Sequence, residues 1–115
     1  MKSLFHPSKN ELQLSAVLYA LSDPIRMEIV KQLANGEEMT CGAFLLASDR
    51  GKSTMTHHFK VLRDAGIIRT RIDGREHFTS LRRDCLDHRF PGLIDSILSA
   101  MPSSRRKKER QLAKR

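Results

Sequence analysis

Apolar positions along this chain fall first at helical spacing, then at strand spacing, then at helical spacing again. Leu12, Leu14, Val17, Leu18 and Leu21 predict a helix that stops at Ser22-Asp23-Pro24, where Asp23 can cap a second helix and Pro24 can take its first position. In that second helix Ile25, Ile29 and Leu33 repeat at four-residue steps, and Met27, Val30 and Ala34 widen the stripe. Gly36 supplies the left-handed residue that ends it. Thr40 is placed to cap a short third helix carrying Phe44 and Leu45, and Ser48-Asp49-Arg50-Gly51 reads as a polar turn. A fourth helix spans 52–65 and is closed by Gly66.

The fourth helix sorts its faces. At about 100° per residue, Phe59 and Leu62 lie within about 40° of Met55, with His58 beside them, while Ser53, His57, Lys60 and Asp64 point the other way. The first stripe reads as core. The second, with Lys52, Thr54 and Thr56, is short-chained and hydrogen-bonding, the type of surface that reads base edges: Lys52, Ser53, Thr56 and His57 toward bases, Thr54 and Lys60 toward phosphate. Adjacent helical residues diverge too far for His57 and His58 to act as a metal pair, so His58 is expected half-buried and His57 on the outer face. Two helices joined by a four-residue turn, the second carrying such a face, form a helix-turn-helix.

Strand spacing follows. Residues 67–72 are β-branched and alternating, Asp73-Gly74 is a strong two-residue hairpin signal, and residues 75–81 return. A hairpin directly after a recognition helix is a wing, and Arg69, Arg71 and Arg75 cluster on it, placed for phosphate or a minor groove. Beyond the wing, Leu86, Phe90, Leu93, Ile94, Ile97, Leu98 and Met101 predict a helical turn, a restart at Pro91-Gly92 and one shared apolar stripe. That is more apolar surface than a small monomer easily buries. A homodimer is therefore expected, with Leu14 and Leu18 of the first helix and Leu93, Ile94, Ile97, Leu98 and Met101 of the last across a two-fold axis. Such a dimer sets two recognition helices about 34 Å apart, in successive major grooves. The expected fold is mainly α with a small β-hairpin, in the order α-α-α-α-β-β-α: a winged helix-turn-helix.

At 115 residues and 39% hydrophobic, the chain has room for one domain, which disfavours a large enzyme. There is no Gly-rich phosphate loop and no carboxylate pair in an apolar pattern, and Cys41 with a distant His is a weak nucleophile signal. No catalytic residue, metal or cofactor is expected. The +8 net charge is unevenly spread. Residues 103–115 hold seven Lys or Arg and one Glu, residues 50–83 hold nine basic and three acidic side chains, and the remainder is net acidic. Only the middle segment coincides with the helix face and wing, and it is the part that should attract phosphate. The expected organisation is a leader at 1–10, a DNA-binding and dimerisation domain at 11–102, and a basic tail at 103–115. Sparse aromatics and the lack of Trp disfavour single-strand or RNA platforms, leaving double-stranded DNA as partner. No apolar run approaches the length of a membrane span, and the N-terminus lacks a secretory core. With two isolated cysteines, these features suggest a reducing, cytoplasmic setting.

The run Ser53-Thr54-Met55-Thr56-His57-His58-Phe59-Lys60-Val61-Leu62-Arg63-Asp64-Ala65-Gly66-Ile67-Ile68 resembles the recognition-helix signature of the ArsR/SmtB winged helix-turn-helix repressors, typically S-T-[VI]-S-x-H-L-x-x-L-x-x-A-G-L-[VI]. Leu21-Ser22-Asp23-Pro24-Ile25-Arg26 is similar to the family's L-[AS]-[DN]-P-x-R, and Gly74-Arg75 matches at the wing tip. The resemblance covers about residues 12–100. It implies a five-helix, homodimeric repressor that binds a palindromic operator and leaves it when an effector binds. The effector is where this chain departs from the family. Thr40-Cys41-Gly42 stands where soft-metal sensors carry C-V-C, and Asp87-His88 with Asp95 falls short of the zinc set of the terminal helix. A thiol-responsive version would need Cys41 and Cys85 within about 7 Å between Cα atoms, and both otherwise read as buried small hydrophobes. A small effector stays possible but unidentified. The competing class is a non-specific architectural binder driven by the tail, which should lose most affinity on deletion of 103–115, whereas a repressor keeps its specificity.

Overall fold

In the computed structural model, which describes residues 5–36, 38–40 and 51–101, a turn of 3-10 helix at Lys9–Glu11 leads into α1 (Leu14–Ala20) and α2 (Pro24–Leu33). Then come β1 (Met39–Thr40), α3 (Lys52–Asp64), β2 (Ile68–Asp73), β3 (Glu76–Leu81), α4 (Arg83–Arg89) and α5 (Leu93–Ala100). The fold is a winged helix-turn-helix. Helix boundaries follow local chemistry. The Asp23 carboxylate accepts from the backbone N–H groups of Ile25 (2.8 Å) and Arg26 (3.0 Å), satisfying two otherwise unpaired donors, while Pro24 supplies no N–H to waste.

At the far end of α3, Ile67 donates to the Leu62 carbonyl (3.0 Å) and Gly66 to that of Arg63 (3.0 Å), the paired bonds of a Schellman motif. The motif needs a left-handed residue, and Gly66 has φ +83°. It also turns the chain directly into the wing, because Ile67 and Ile68 drop into the core.

The sheet differs from the expected hairpin. It has three antiparallel strands in the order β1-β3-β2, with Met39 opposite Thr79 and Thr40 opposite Phe78. Thr40 thus lies in a strand. The short helix expected after it, with Phe44, Leu45 and Cys41, lies outside the described residues. The hairpin loop is displaced by one residue from Asp73-Gly74: Asp73 and Glu76 are the last pair, and Gly74-Arg75 form the loop. Only Gly74 has positive φ (+64°), as expected of a II′-type turn with Gly first.

Val17, Ile29, Leu33, Leu62, Ile67, Ile68 and Leu86 are wholly or almost wholly buried in one core. Each contributes about 1.5–3 kcal/mol over an exposed position. The inward stripe of α2 is rotated from the expected one: Arg26 is buried with Ile29, Val30 and Leu33, and Ile25 only partly. The terminal apolar segment is two helices, broken at Pro91-Gly92. Ile94, expected in a subunit interface, is 0% exposed within its own chain and belongs to the core.

Packing also reaches back into the stretch expected to be a leader. Pro7 within it is buried, and Leu12 just after it is in the core. The Pro7 carbonyl accepts from Arg82 (2.7 Å), the Leu12 carbonyl accepts from Arg89 (2.6 Å), and His6 Nε2 accepts from the backbone N–H of Thr70 (3.0 Å) on the sheet-edge strand β2.

Candidate nucleic-acid interface

Helix α3 buries Met55, His58, Phe59 and Leu62 and exposes Thr54, Thr56, His57 and Lys60. Lys52 and Ser53 occupy its first turn, before that exposed face. The outer stripe carries no large apolar side chain, so nothing on it competes with polar contacts to a groove. Lys60 is tied to Asp64 one turn on (2.6 Å), an exposed pair that leaves its Nζ within reach of other acceptors.

A buried network sets the pose of α3. Arg26 of α2 is 7% exposed, and its Nε donates to the Ala20 carbonyl at 2.6 Å, at the end of α1. Its Nη1 lies 3.2 Å from Nδ1 of His58. A guanidinium only donates, so Nδ1 accepts and the neutral ring carries its proton on Nε2. Asp23 Oδ2 lies 3.8 Å from the same nitrogen. Burial pushes the Asp23 carboxyl up, but the backbone N–H groups of Arg26 and Ile25 and the Arg26 guanidinium outweigh it and hold the group below its ordinary value. One residue cluster therefore ties α1, α2 and α3 together beneath the outer face. His58 is more deeply buried than the half-buried position expected, and Arg26 had no sequence reading beyond its place in the motif.

On the wing, Arg69 and Arg71 project from the exposed face of β2, and Arg75 sits in the loop. The three are not equivalent. Arg71 gives Nε and Nη2 to the two Glu38 oxygens (2.8 and 2.9 Å), its Nη1 lies 3.7 Å from Asp73, and its guanidinium stacks 4.4 Å over the Phe78 ring. The hydrogen bond from Arg71 holds the Glu38 carboxyl below its usual range, and the guanidinium is stabilised in turn. Arg71 is thus engaged by acidic partners. Glu38 went unread because it meets Arg71 across 33 residues with no local signal.

The remaining expected residues are on α1, α4 and α5 and just beyond α5. Leu14 and Leu18 are each 47% exposed on α1, beside Tyr19 at 67%, whereas Leu93, Ile97, Leu98 and Met101 are partly covered. Asp87 and Asp95 both accept from Arg83, which joins α4 to α5. Cys85 is half-buried with Sγ 3.7 Å from Arg82 Nη2, and its separation from Cys41 lies outside the described residues. Among the described residues no three His, Cys, Asp or Glu side chains converge, and no helix is long and apolar enough to cross a membrane.

A helix-turn-helix domain family matches residues 21–71. The chain is 37% identical over 87 residues to an uncharacterized HTH-type transcriptional regulator, YceK, of Bacillus subtilis (strain 168), spanning 74% of this chain and 87% of the relative. It is 37% identical over 76 residues to the arsenical resistance operon repressor of Staphylococcus xylosus, spanning 66% and 72% respectively. Among solved structures it is similar to an ArsR family transcriptional regulator (TM-score 0.62, 24% identity, 72% of this chain and 90% of that one). It also resembles the transcriptional repressor BigR from Xylella fastidiosa (TM-score 0.61, 24% identity, 79% and 88%).

Proposed function

The chain belongs to the ArsR family of helix-turn-helix transcriptional regulators and is a DNA-binding repressor, and from that premise we propose that it works as a cytoplasmic homodimer on a palindromic operator. The observation that carries the reading is the sorting of α3: a buried stripe at Met55, Phe59 and Leu62 and an outer stripe of small polar groups and His57, continuous in sequence with an arginine-bearing wing. Lys52, Ser53, Thr56 and His57 read base edges, Thr54 and Lys60 meet phosphate, and Arg69 and Arg75 hold the flanking backbone. The exposed Leu14 and Leu18 of α1, with the outer edges of Leu93, Ile97, Leu98 and Met101, form the subunit contact; Ile94 supports it from beneath.

Selection of bound duplexes from a random-sequence pool tests the reading. It predicts enrichment of an inverted repeat with half-sites about one helical turn apart, retained when residues 103–115 are deleted. Enrichment of no sequence, or its loss with the tail, would favour the architectural binder instead.

A further inference from the structure

Three features outside the proposed base-reading face bear on function: the His6 contact to the edge of β2, the buried Asp23-Arg26-His58 cluster, and the Glu38-Arg71 pair. The last has the most direct consequence for DNA binding. A phosphate and a carboxylate both offer an arginine two oxygens for its paired N–H donors. Glu38 occupies Arg71 in that two-bond mode, Nε and Nη2 each to one oxygen, at 2.8 and 2.9 Å.

We propose that Glu38 is a built-in competitor for DNA phosphate at Arg71, lowering the wing's grip on every sequence. The proposal rests on the reading of the wing as a backbone contact. Two features fit an exchange. The pair is exposed, with side chains about half and about a third accessible (52% and 37%), so solvent screens it and a polyanion can displace the carboxylate. Arg71 also has a second support that survives the exchange. Phe78 stands opposite it in the sheet with its ring 4.4 Å from the guanidinium, and this stacking keeps the fork flat and outward once Glu38 has gone. Glu38 itself precedes β1, at the sheet edge away from β2, so releasing it breaks no strand pairing.

Displacement changes the ion count as well as the affinity. When phosphate takes Arg71, the freed Glu38 recruits a cation, cancelling one of the counterions released from the DNA. The wild-type protein should therefore show a shallower salt dependence than a variant in which residue 38 is neutral.

The test compares wild type, Glu38→Gln, Arg71→Ala and the double variant on two duplexes of about 30 base pairs, one taken from the random-pool selection and one scrambled. Glu76→Gln, the same charge change elsewhere on the hairpin, is the control for simple neutralisation. Glu38→Gln should tighten both duplexes by about twofold to fivefold per wing and steepen the salt slope by about 0.9 per wing. Both changes should exceed those of Glu76→Gln and vanish when Arg71 is replaced by alanine. Unchanged or weaker binding by Glu38→Gln, or a gain that persists without Arg71, overturns the proposal. Arg71→Ala without effect in the Glu38→Gln background, while Arg75→Ala still weakens binding, overturns it and leaves the wing reading intact. No effect from either arginine removes the wing reading and the proposal with it. Matching thermal unfolding curves establish that the variants are compared as folded proteins.

Discussion

Nη1 of Arg26 lies 3.2 Å from Nδ1 of His58, and this contact ties α2 to α3, the helix that carries the proposed reading face. The same guanidinium donates to the last carbonyls of α1, at Ala20 and, more weakly, Tyr19. Removing it takes the guanidinium donor from the Ala20 carbonyl and from Nδ1 of His58.

Arg26→Ala should therefore destabilise the protein by about 3 kcal/mol, in the range for stripping one partner from a buried charged network. Arg26→Lys should recover little of the loss, since an ammonium cannot span three acceptors with a planar fork. Urea unfolding at neutral pH measures both. A lysine variant as stable as wild type would mean that charge alone, not the fork, is what matters.

The Asp23 cap gives a pH signature. Its carboxyl titrates below the ordinary value in the folded protein. Its contribution is therefore fully present above the unfolded pKa of about 3.9 and is lost as pH falls through the native value. Asp23→Asn keeps a capping oxygen but cannot titrate. The urea midpoint of wild type should fall faster than that of the Asn variant below about pH 4. Parallel curves would show that Asp23 is not a source of acid sensitivity.

Gly66 is held by geometry and by space. A Cβ there would run into Leu12 Cδ2, at a φ of +83°. Gly66→Ala should cost about 2–4 kcal/mol, from left-handed strain together with overpacking. Leu12→Ala should make the second substitution less costly by removing the clash, a coupling that a double-mutant cycle in thermal unfolding reads directly. Strict additivity would mean that strain alone is responsible.

The elements whose causes are local were legible in the sequence. Asp23-Pro24 starts a helix because of what a carboxylate and a proline do to unpaired backbone groups, and Gly66 ends one because only glycine takes its φ cheaply. The faces of α3 follow from 3.6-residue spacing. Contacts between distant residues were not legible. Arg26 meets His58 across 32 residues, Arg71 meets Glu38 across 33 and His6 meets Thr70 across 64. Each depends on how the helices and sheet pack, which spacing does not encode. Ile94 was misplaced for a related reason: a stripe apolar enough for an interface also served the chain's own core. The two-residue β1 was too short to leave a pattern.

The exposed leucines of α1 bear on assembly. Leu18→Glu places a charge in the proposed subunit contact, where Leu18 is 47% exposed in the single chain, so folding should survive while association fails. Sedimentation at micromolar concentration should give a dimer for wild type and a monomer for the variant. A wild-type monomer that still binds an inverted repeat would contradict the dimer.

His57 is the most direct probe of the outer face, because it is exposed beside the buried His58 and has no core role to lose. The decisive measurement is the affinity of His57→Ala for the selected duplex and for a scrambled one at the same salt. A base-reading His57 predicts a loss of about 1–3 kcal/mol on the selected duplex and little on the scrambled one, whereas Arg75→Ala weakens both and flattens the salt dependence. Equal losses on both duplexes for His57→Ala would contradict the claim that this face reads bases.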